Sequence, residues 1–96
     1  MKKFFILGFM TLSMIFAMDD IERALQAFND RDYTQALKLF DKACEGGDMR
    51  GCASLGGMYY YGDGVEQSYS KALKLLQKAC NGGDMISCET LKEIQQ

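Results

Sequence analysis

The chain has 96 residues, with 13 acidic and 11 basic side chains, four cysteines, no histidine and no proline. Its net charge of −2 argues against nucleic acid as a partner, because nucleic-acid-binding domains carry a basic surface. With no histidine and no two cysteines separated by two residues, neither a structural zinc site nor a cofactor is expected.

The first 17 residues predict a secretory signal peptide. Two lysines precede thirteen uncharged residues, 4–16, and Ala17 stands just before an acidic pair. This order is typical of export signals, and the apolar stretch is shorter than the about 20 residues that a membrane-spanning helix needs. We expect cleavage near Ala17 and a secreted or periplasmic module, residues 18–96, without a membrane span. Its nine basic and 13 acidic residues give a net charge of −4.

Five helices are predicted, over about 19–29, 33–45, 49–61, 69–81 and 85–95, because apolar residues recur at helical spacing and no strand pattern competes. Two glycine pairs, 46–47 and 82–83, are expected to end the second and fourth helices in a left-handed turn. Asp48 and Asp84 are expected to cap the helices that follow.

The chain contains an internal repeat. Residues 33–55 and 69–91 are identical at 14 of 23 positions, at a fixed spacing of 36 residues. Such self-similarity indicates repeat units that stack on each other. The predicted fold is therefore all-α, a short α/α solenoid of antiparallel helix pairs stapled by disulfides.

All four cysteines fall in two near-identical segments, 44–52 and 80–88. An even number of cysteines in a short exported chain predicts disulfides, and four cysteines allow three connectivities. Equivalent cysteines on stacked helices would lie roughly 9 Å or more apart. A disulfide keeps its Cα atoms within about 7 Å, so we predict the pairs Cys44–Cys52 and Cys80–Cys88.

The stretch LGGMYYYGDGV, residues 55–65, followed by SYSKALKLLQKAC, resembles the Sel1-like repeat. That repeat has the pattern L-G-x-x-Y-x-x-G-x-G-V and then K-A-x-x-L-x-x-K-A. Cysteines separated by seven residues narrow the resemblance to secreted cysteine-rich Sel1-like proteins, the Hcp beta-lactamase family. Residues 27–43 are closer to a plain tetratricopeptide unit. The chain would then hold one complete repeat and two partial ones.

The resemblance implies two functions. Members of the family carry a beta-lactamase label and bind or slowly hydrolyse penicillin-type compounds, whereas helical repeats elsewhere serve as scaffolds for proteins and peptides. We expect an exported scaffold whose concave groove binds a protein, a peptide or a peptidoglycan-like cell-wall fragment. Beta-lactam hydrolysis is the alternative.

A weak catalytic candidate exists for that alternative. Ser68 and Lys71 have the S-x-x-K spacing of serine beta-lactamases, but the S-D-N and K-T-G elements are absent from the sequence. The simpler interpretation is that Ser68 or Ser70 caps a helix and that Lys71 is solvated. No catalytic residue is therefore assigned.

One face of the third predicted helix carries the candidate binding residues, which are Arg50, Ala53, Gly57 and Tyr60. Stacked helix pairs usually turn such a face towards their groove, and the alternative is a plain solvated face. Tyr59 is expected in the core. Met49 and Met85 are expected to fill the core beside the disulfides.

Overall fold

A computed structural model describes residues 19–96, which form five α-helices and no strand. The helices are α1 Asp20–Asn29, α2 Tyr33–Glu45, α3 Met49–Tyr61, α4 Tyr69–Asn81 and α5 Met85–Ile94. The predicted bounds are confirmed to within one residue at each end. Within the described range no helix is long and apolar enough to cross a membrane. The predicted signal peptide, 1–17, lies outside the described residues.

The two glycine corners have the same backbone geometry. After α2, the Gly47 N–H donates to the Cys44 carbonyl at 3.1 Å and the Asp48 N–H to the Ala43 carbonyl at 2.9 Å. Gly47 and Gly83 have φ values of 92° and 103°, the left-handed conformation that the glycine pairs predict. Each corner reverses the chain within three residues, so successive helices pack antiparallel.

The two predicted aspartate caps differ. The Asp48 carboxylate accepts the Arg50 backbone N–H at 3.1 Å, as expected of an N-cap. Asp84 occupies the N-cap position of α5 but makes no such bond. Its carboxylate instead accepts the hydroxyl of the buried Ser87 at 2.6 Å, because that hydroxyl needs a partner.

A third corner, between α1 and α2, repeats this geometry with a different sequence. The Asp32 N–H donates to the Ala27 carbonyl at 2.8 Å, and Arg31 takes the left-handed position with φ 62°. A non-glycine residue there costs roughly 1–2 kcal/mol. The Phe28 and Tyr33 rings meet edge to face at 5.2 Å, where the other corners carry a disulfide.

The predicted disulfide pairing is confirmed, with Cα separations of 4.6 Å for Cys44–Cys52 and 4.7 Å for Cys80–Cys88. The two staples differ in environment. Cys44 and Cys52 are buried against Ala79 of α4, whereas Cys80 and Cys88 are half-buried. The first disulfide therefore belongs to the core and the second lies nearer the surface.

Small residues allow the helices to pack closely. The main core cluster comes from α1, α2 and α3 and consists of Ile21, Ala24, Ala27, Ala36, Phe40, Ala43, Leu55 and Met58. A Cβ atom at Gly51 would lie 2.8 Å from both the Phe40 carbonyl oxygen and the Ala43 Cβ. A Cβ atom at Gly56 would lie 3.3 Å from the Ala72 carbonyl oxygen of α4. These two glycines let α3 approach both of its neighbours.

The two methionines at the corners have different surroundings. Met49 is half-buried beside the first disulfide, as predicted, and it also covers Gly82 at the end of α4. The prediction for Met85 is wrong, because this residue is 69% exposed. In the part of the chain that the structure describes, no helix follows α5 to cover Met85 as α4 covers Met49. Tyr59 packs against the core, as expected.

We expect Gly51→Ala and Gly57→Ala to change stability in opposite directions. In Gly51→Ala the new methyl group would overlap α2, which should lower the free energy of unfolding by about 1–3 kcal/mol. In Gly57→Ala the methyl group meets no atom within 4 Å. This change should raise the free energy of unfolding by roughly 0.5–1 kcal/mol, because glycine is a poor helix former. Urea unfolding of the oxidised variants, followed by circular dichroism, measures both effects. Equal stabilities of the two variants would contradict the packing argument.

We also expect the two disulfides to respond differently. Replacing Cys80 and Cys88 by serine should lower the free energy of unfolding by roughly 2–5 kcal/mol. The same change at Cys44 and Cys52 should cost more, since it also places hydroxyl groups in the core. Under limiting reductant the half-buried pair should open first, as detected by alkylation and mass spectrometry. Reduction of both pairs at one rate would show that burial does not protect the inner pair.

Candidate functional site

A groove of about 440 Å³ lies between α3 and α5, with α4 beneath it. We call it the α3–α5 groove. Its lining consists of Ala53, Gly57, Tyr60 and Tyr61 of α3, Leu76 of α4, and Ile86, Ser87, Thr90, Glu93 and Ile94 of α5. Its surface combines aliphatic and aromatic side chains with a few polar groups. This is the composition of sites that bind organic ligands.

The structure brings together three of the four predicted binding residues. Ala53, Gly57 and Tyr60 line the α3–α5 groove, whereas Arg50 lies outside its lining. Sequence reasoning missed the wall contributed by α5, because the binding candidates were chosen from one face of α3 alone. One signal was available. Ile86, which is 74% exposed, stands where the other copy of the repeat has Arg50, so an apolar side chain replaces a charged one at a surface position.

Tyr60 and Tyr61 line the groove, and Tyr69 of α4 contacts Tyr60; we call these three residues the tyrosine rim. The ring of Tyr60 meets the ring of Tyr61 at 5.1 Å and that of Tyr69 at 5.2 Å, both edge to face. The Gln67 side-chain amide donates to the Tyr60 carbonyl at 2.6 Å and to the Tyr69 hydroxyl at 3.2 Å. These contacts hold the three rings against one another.

Gly57 opens the groove along α3. A Cβ atom at this position would have no heavy atom within 4 Å, so the residue is not required for packing. It leaves the backbone of α3 accessible between Ala53 and the tyrosine rim. The two neighbouring glycine positions therefore have different roles, because Gly56 contacts α4 and Gly57 faces the open groove.

A second depression, of about 220 Å³, lies between α1 and α3. Its lining consists of Leu25, Phe28, Phe40, Ser54, Gly57, Met58, Tyr61 and Asp63, and we call it the α1–α3 cleft. Gly57 and Tyr61 line both this cleft and the α3–α5 groove. No pattern in the sequence indicated the cleft, since its walls come from residues far apart in the chain.

Arg50 joins the beginnings of α1 and α3. Its guanidinium donates to both carboxylate oxygens of Asp48, at 3.1 and 2.8 Å, and to Asp19 at 3.4 Å. The side-chain hydrogen bonds from Arg50 lower the pKa of the Asp48 carboxyl. The same contact raises the pKa of the Arg50 guanidinium above its ordinary value. Asp19 and Asp48 are the N-cap residues of α1 and α3, so the Arg50 guanidinium is paired with the carboxylates of two helix caps.

The two catalytic candidates, Ser68 and Lys71, each make a structural contact. The Ser68 hydroxyl accepts the Lys71 backbone N–H at 3.3 Å and lies 3.4 Å from the Ser70 hydroxyl. Ser68 is thus the N-cap of α4. The Lys71 ammonium lies 5.3 Å from the centroid of the Tyr59 ring, a cation–π contact. The S-x-x-K spacing accordingly corresponds here to a helix cap and to an exposed lysine beside a tyrosine ring.

The family model for the Sel1 repeat matches residues 30–48 and 50–84, which together exceed half of the chain. The second matched segment contains α3, the loop after it and α4. The first contains the α1–α2 corner and α2. The match therefore covers the corners and helices from which the solenoid is built.

Two relatives from Helicobacter pylori share part of this sequence. "Putative beta-lactamase HcpC" of strain ATCC 700392 / 26695 is 45% identical over 42 residues, which are 44% of this chain and 14% of the relative. "Putative beta-lactamase HcpD" of strain J99 / ATCC 700824 is 44% identical over 45 residues, 47% of this chain and 15% of the relative.

In these alignments the chain spans about a seventh of the length of the curated relatives that it matches. The similarity agrees with the stacked helix pairs and with the two corner disulfides described above. Both the repeat match and the fold lead to the same classification. The chain belongs to the Sel1 repeat family, as one of its cysteine-rich members.

Proposed function

We propose that this protein is an exported Sel1-repeat scaffold that binds an extended segment of another protein, or a peptide, in the α3–α5 groove. One observation carries the proposal. The α3–α5 groove is lined by tyrosine side chains, and beside them, at Gly57, no side chain covers the backbone of α3. Ordered aromatic side chains provide contact area at little cost in conformational entropy. A sugar ring of a cell-wall fragment could stack on the same tyrosine rim.

Two features support export. Disulfides persist in oxidising compartments, and all four cysteines of this chain are paired. The sequence of residues 1–17 has the order of a signal peptide. We therefore propose a signal peptide over 1–17 and a repeat module over 18–96, which acts in the periplasm or outside the cell.

The names of the two relatives suggest beta-lactam hydrolysis as a second function. In this chain the candidate nucleophile would be Ser68, the one serine with the S-x-x-K spacing. The contacts of Ser68 and Lys71 favour a structural role for both residues. We accordingly place binding before hydrolysis.

A leucine at position 57 should block ligand binding without disturbing the fold. Peptides selected from a random-sequence library on the oxidised parent protein should bind Gly57→Leu at least about tenfold more weakly, a loss of about 1.4 kcal/mol. The leucine would fill the groove, whereas the position itself has no packing contact to disrupt. Fluorescence polarisation measures the affinities.

Two variants serve as matched controls for this experiment. Gly57→Ala adds a single methyl group, and Arg50→Ala removes a charge outside the groove lining, so each should retain affinity to within about twofold. Selected peptides that bind the parent and Gly57→Leu equally well would contradict binding in the groove.

Beta-lactam turnover can be tested on the same material. We expect no sustained hydrolysis of a chromogenic cephalosporin, and the same result for Ser68→Asn, because asparagine keeps the N-cap of α4 while it removes the hydroxyl. Ser70→Ala controls for the adjacent hydroxyl. Sustained hydrolysis by the parent and by Ser70→Ala that disappears in Ser68→Asn would establish the enzymatic function.

A further inference from the structure

The α3–α5 groove and the α1–α3 cleft form one surface over α3. Gly57 and Tyr61 line both depressions, and the Tyr61 side chain is 73% exposed. We call the two depressions together the trough and each of them a lobe. Because nothing fills the space above Gly57, a single extended chain can pass from one lobe to the other beside Tyr61.

Each lobe exposes aliphatic surface. Ile86 is 74% exposed in the α3–α5 lobe, and Leu25 is 47% exposed in the α1–α3 lobe. Exposed apolar side chains that line a concave surface are typical of binding sites, in contrast to those scattered singly over a protein. A ligand that follows the trough would therefore place one aliphatic side chain in each lobe.

Each lobe of the trough contains one acidic residue. Glu93 lines one lobe and Asp63 the other, and no basic side chain lines either lobe among residues 19–96. In the same range neither carboxylate takes part in an ion pair. The arginine on α3, Arg50, is already bonded to Asp48 and Asp19. The two carboxylates remain available to cationic groups of a ligand.

A hydroxyl group of α5 in the trough also favours a ligand that donates hydrogen bonds. Thr90 donates its hydroxyl proton to the Ile86 carbonyl at 2.8 Å. The Thr90 oxygen therefore keeps only acceptor capacity for a ligand. Together with the Glu93 carboxylate, it makes the α5 side of the trough a surface of acceptors.

We propose, on the basis of the function proposed above, that the ligand is an extended peptide with both apolar and basic residues that occupies the two lobes at once. One aliphatic side chain contacts Ile86 and another contacts Leu25. A lysine or arginine pairs with Glu93, and a second one pairs with Asp63. The aromatic rings of Tyr60 and Tyr61, which line the α3–α5 lobe, add attraction for the cationic groups.

The test uses the full-length oxidised protein and fluorescein-labelled peptides with two leucines at varied spacing, flanked by lysines. Matched peptides carry glutamate or glutamine in place of lysine. We expect the lysine peptides to bind about tenfold or more tightly than the glutamate peptides, with a preference that weakens as salt is added. Asp63→Asn and Glu93→Gln should each reduce affinity for the lysine peptides by roughly two- to fivefold, and together by roughly tenfold.

Glu66→Gln and Glu89→Gln are the controls, because both glutamates are exposed and line neither lobe. They should leave the affinity unchanged. If the parent binds lysine and glutamate peptides equally well and Gly57→Leu binds neither, the inference of a basic ligand is overturned. The groove would still be a binding site. An effect of Glu93→Gln with none of Asp63→Asn would overturn occupancy of both lobes. If Gly57→Leu leaves the affinity for every peptide unchanged, the proposed function itself is contradicted.

Discussion

Helix α3 packs closely against α2 at Gly51 and against α4 at Gly56, and the rest of the solenoid is arranged around these two contacts. At Gly51 the space for a Cβ is occupied by the Phe40 carbonyl and Ala43 of α2. At Gly56 it is restricted by Ala72 and Leu76 of α4. Because both neighbours are held against α3, its remaining face is turned outwards, and Gly57 on that face becomes the middle of the trough.

Differences between the two copies of the repeat explain why α5 is a wall of the groove and not a second α3. The position of Gly51 is taken by Ser87, whose buried hydroxyl draws the Asp84 carboxylate away from the helix end. The position of Gly56 is taken by Lys92. A helix packed on α5 as α4 packs on α3 would meet that lysine side chain. A third difference places Glu93, at the position of Gly57, in the α3–α5 groove.

The corners show how one backbone geometry is stabilised in two chemical ways. At two corners a disulfide joins the helix that ends to the helix that begins. At the α1–α2 corner the contact of Phe28 with Tyr33 takes its place, and Arg31 tolerates a left-handed conformation. A disulfide stabilises mainly by lowering the conformational entropy of the unfolded chain. An aromatic contact stabilises by burying apolar surface in the folded chain. The small core of the module therefore combines both kinds of stabilisation.

The sequence by itself determined the helices, the corners and the disulfide pairing, because these depend on residues close together in the chain. Glycine pairs followed by aspartate mark the corners, and cysteines eight residues apart can meet only across such a corner. Helical spacing also placed Ala53, Gly57 and Tyr60 on one face of α3, and these three residues line one groove in the structure. Their role in binding stays a prediction.

Only the tertiary structure decided what stands opposite that face. Ile86 and Glu93 enter the groove, Arg50 turns to Asp19 of α1, and Met85 remains exposed, since each outcome depends on which helix lies beside the residue. Asp63 and Leu25 are separated by 38 positions in the chain and still line one cleft. Helical spacing assigns a side chain to a face of its own helix, but the angle and distance between helices decide which faces form a common surface.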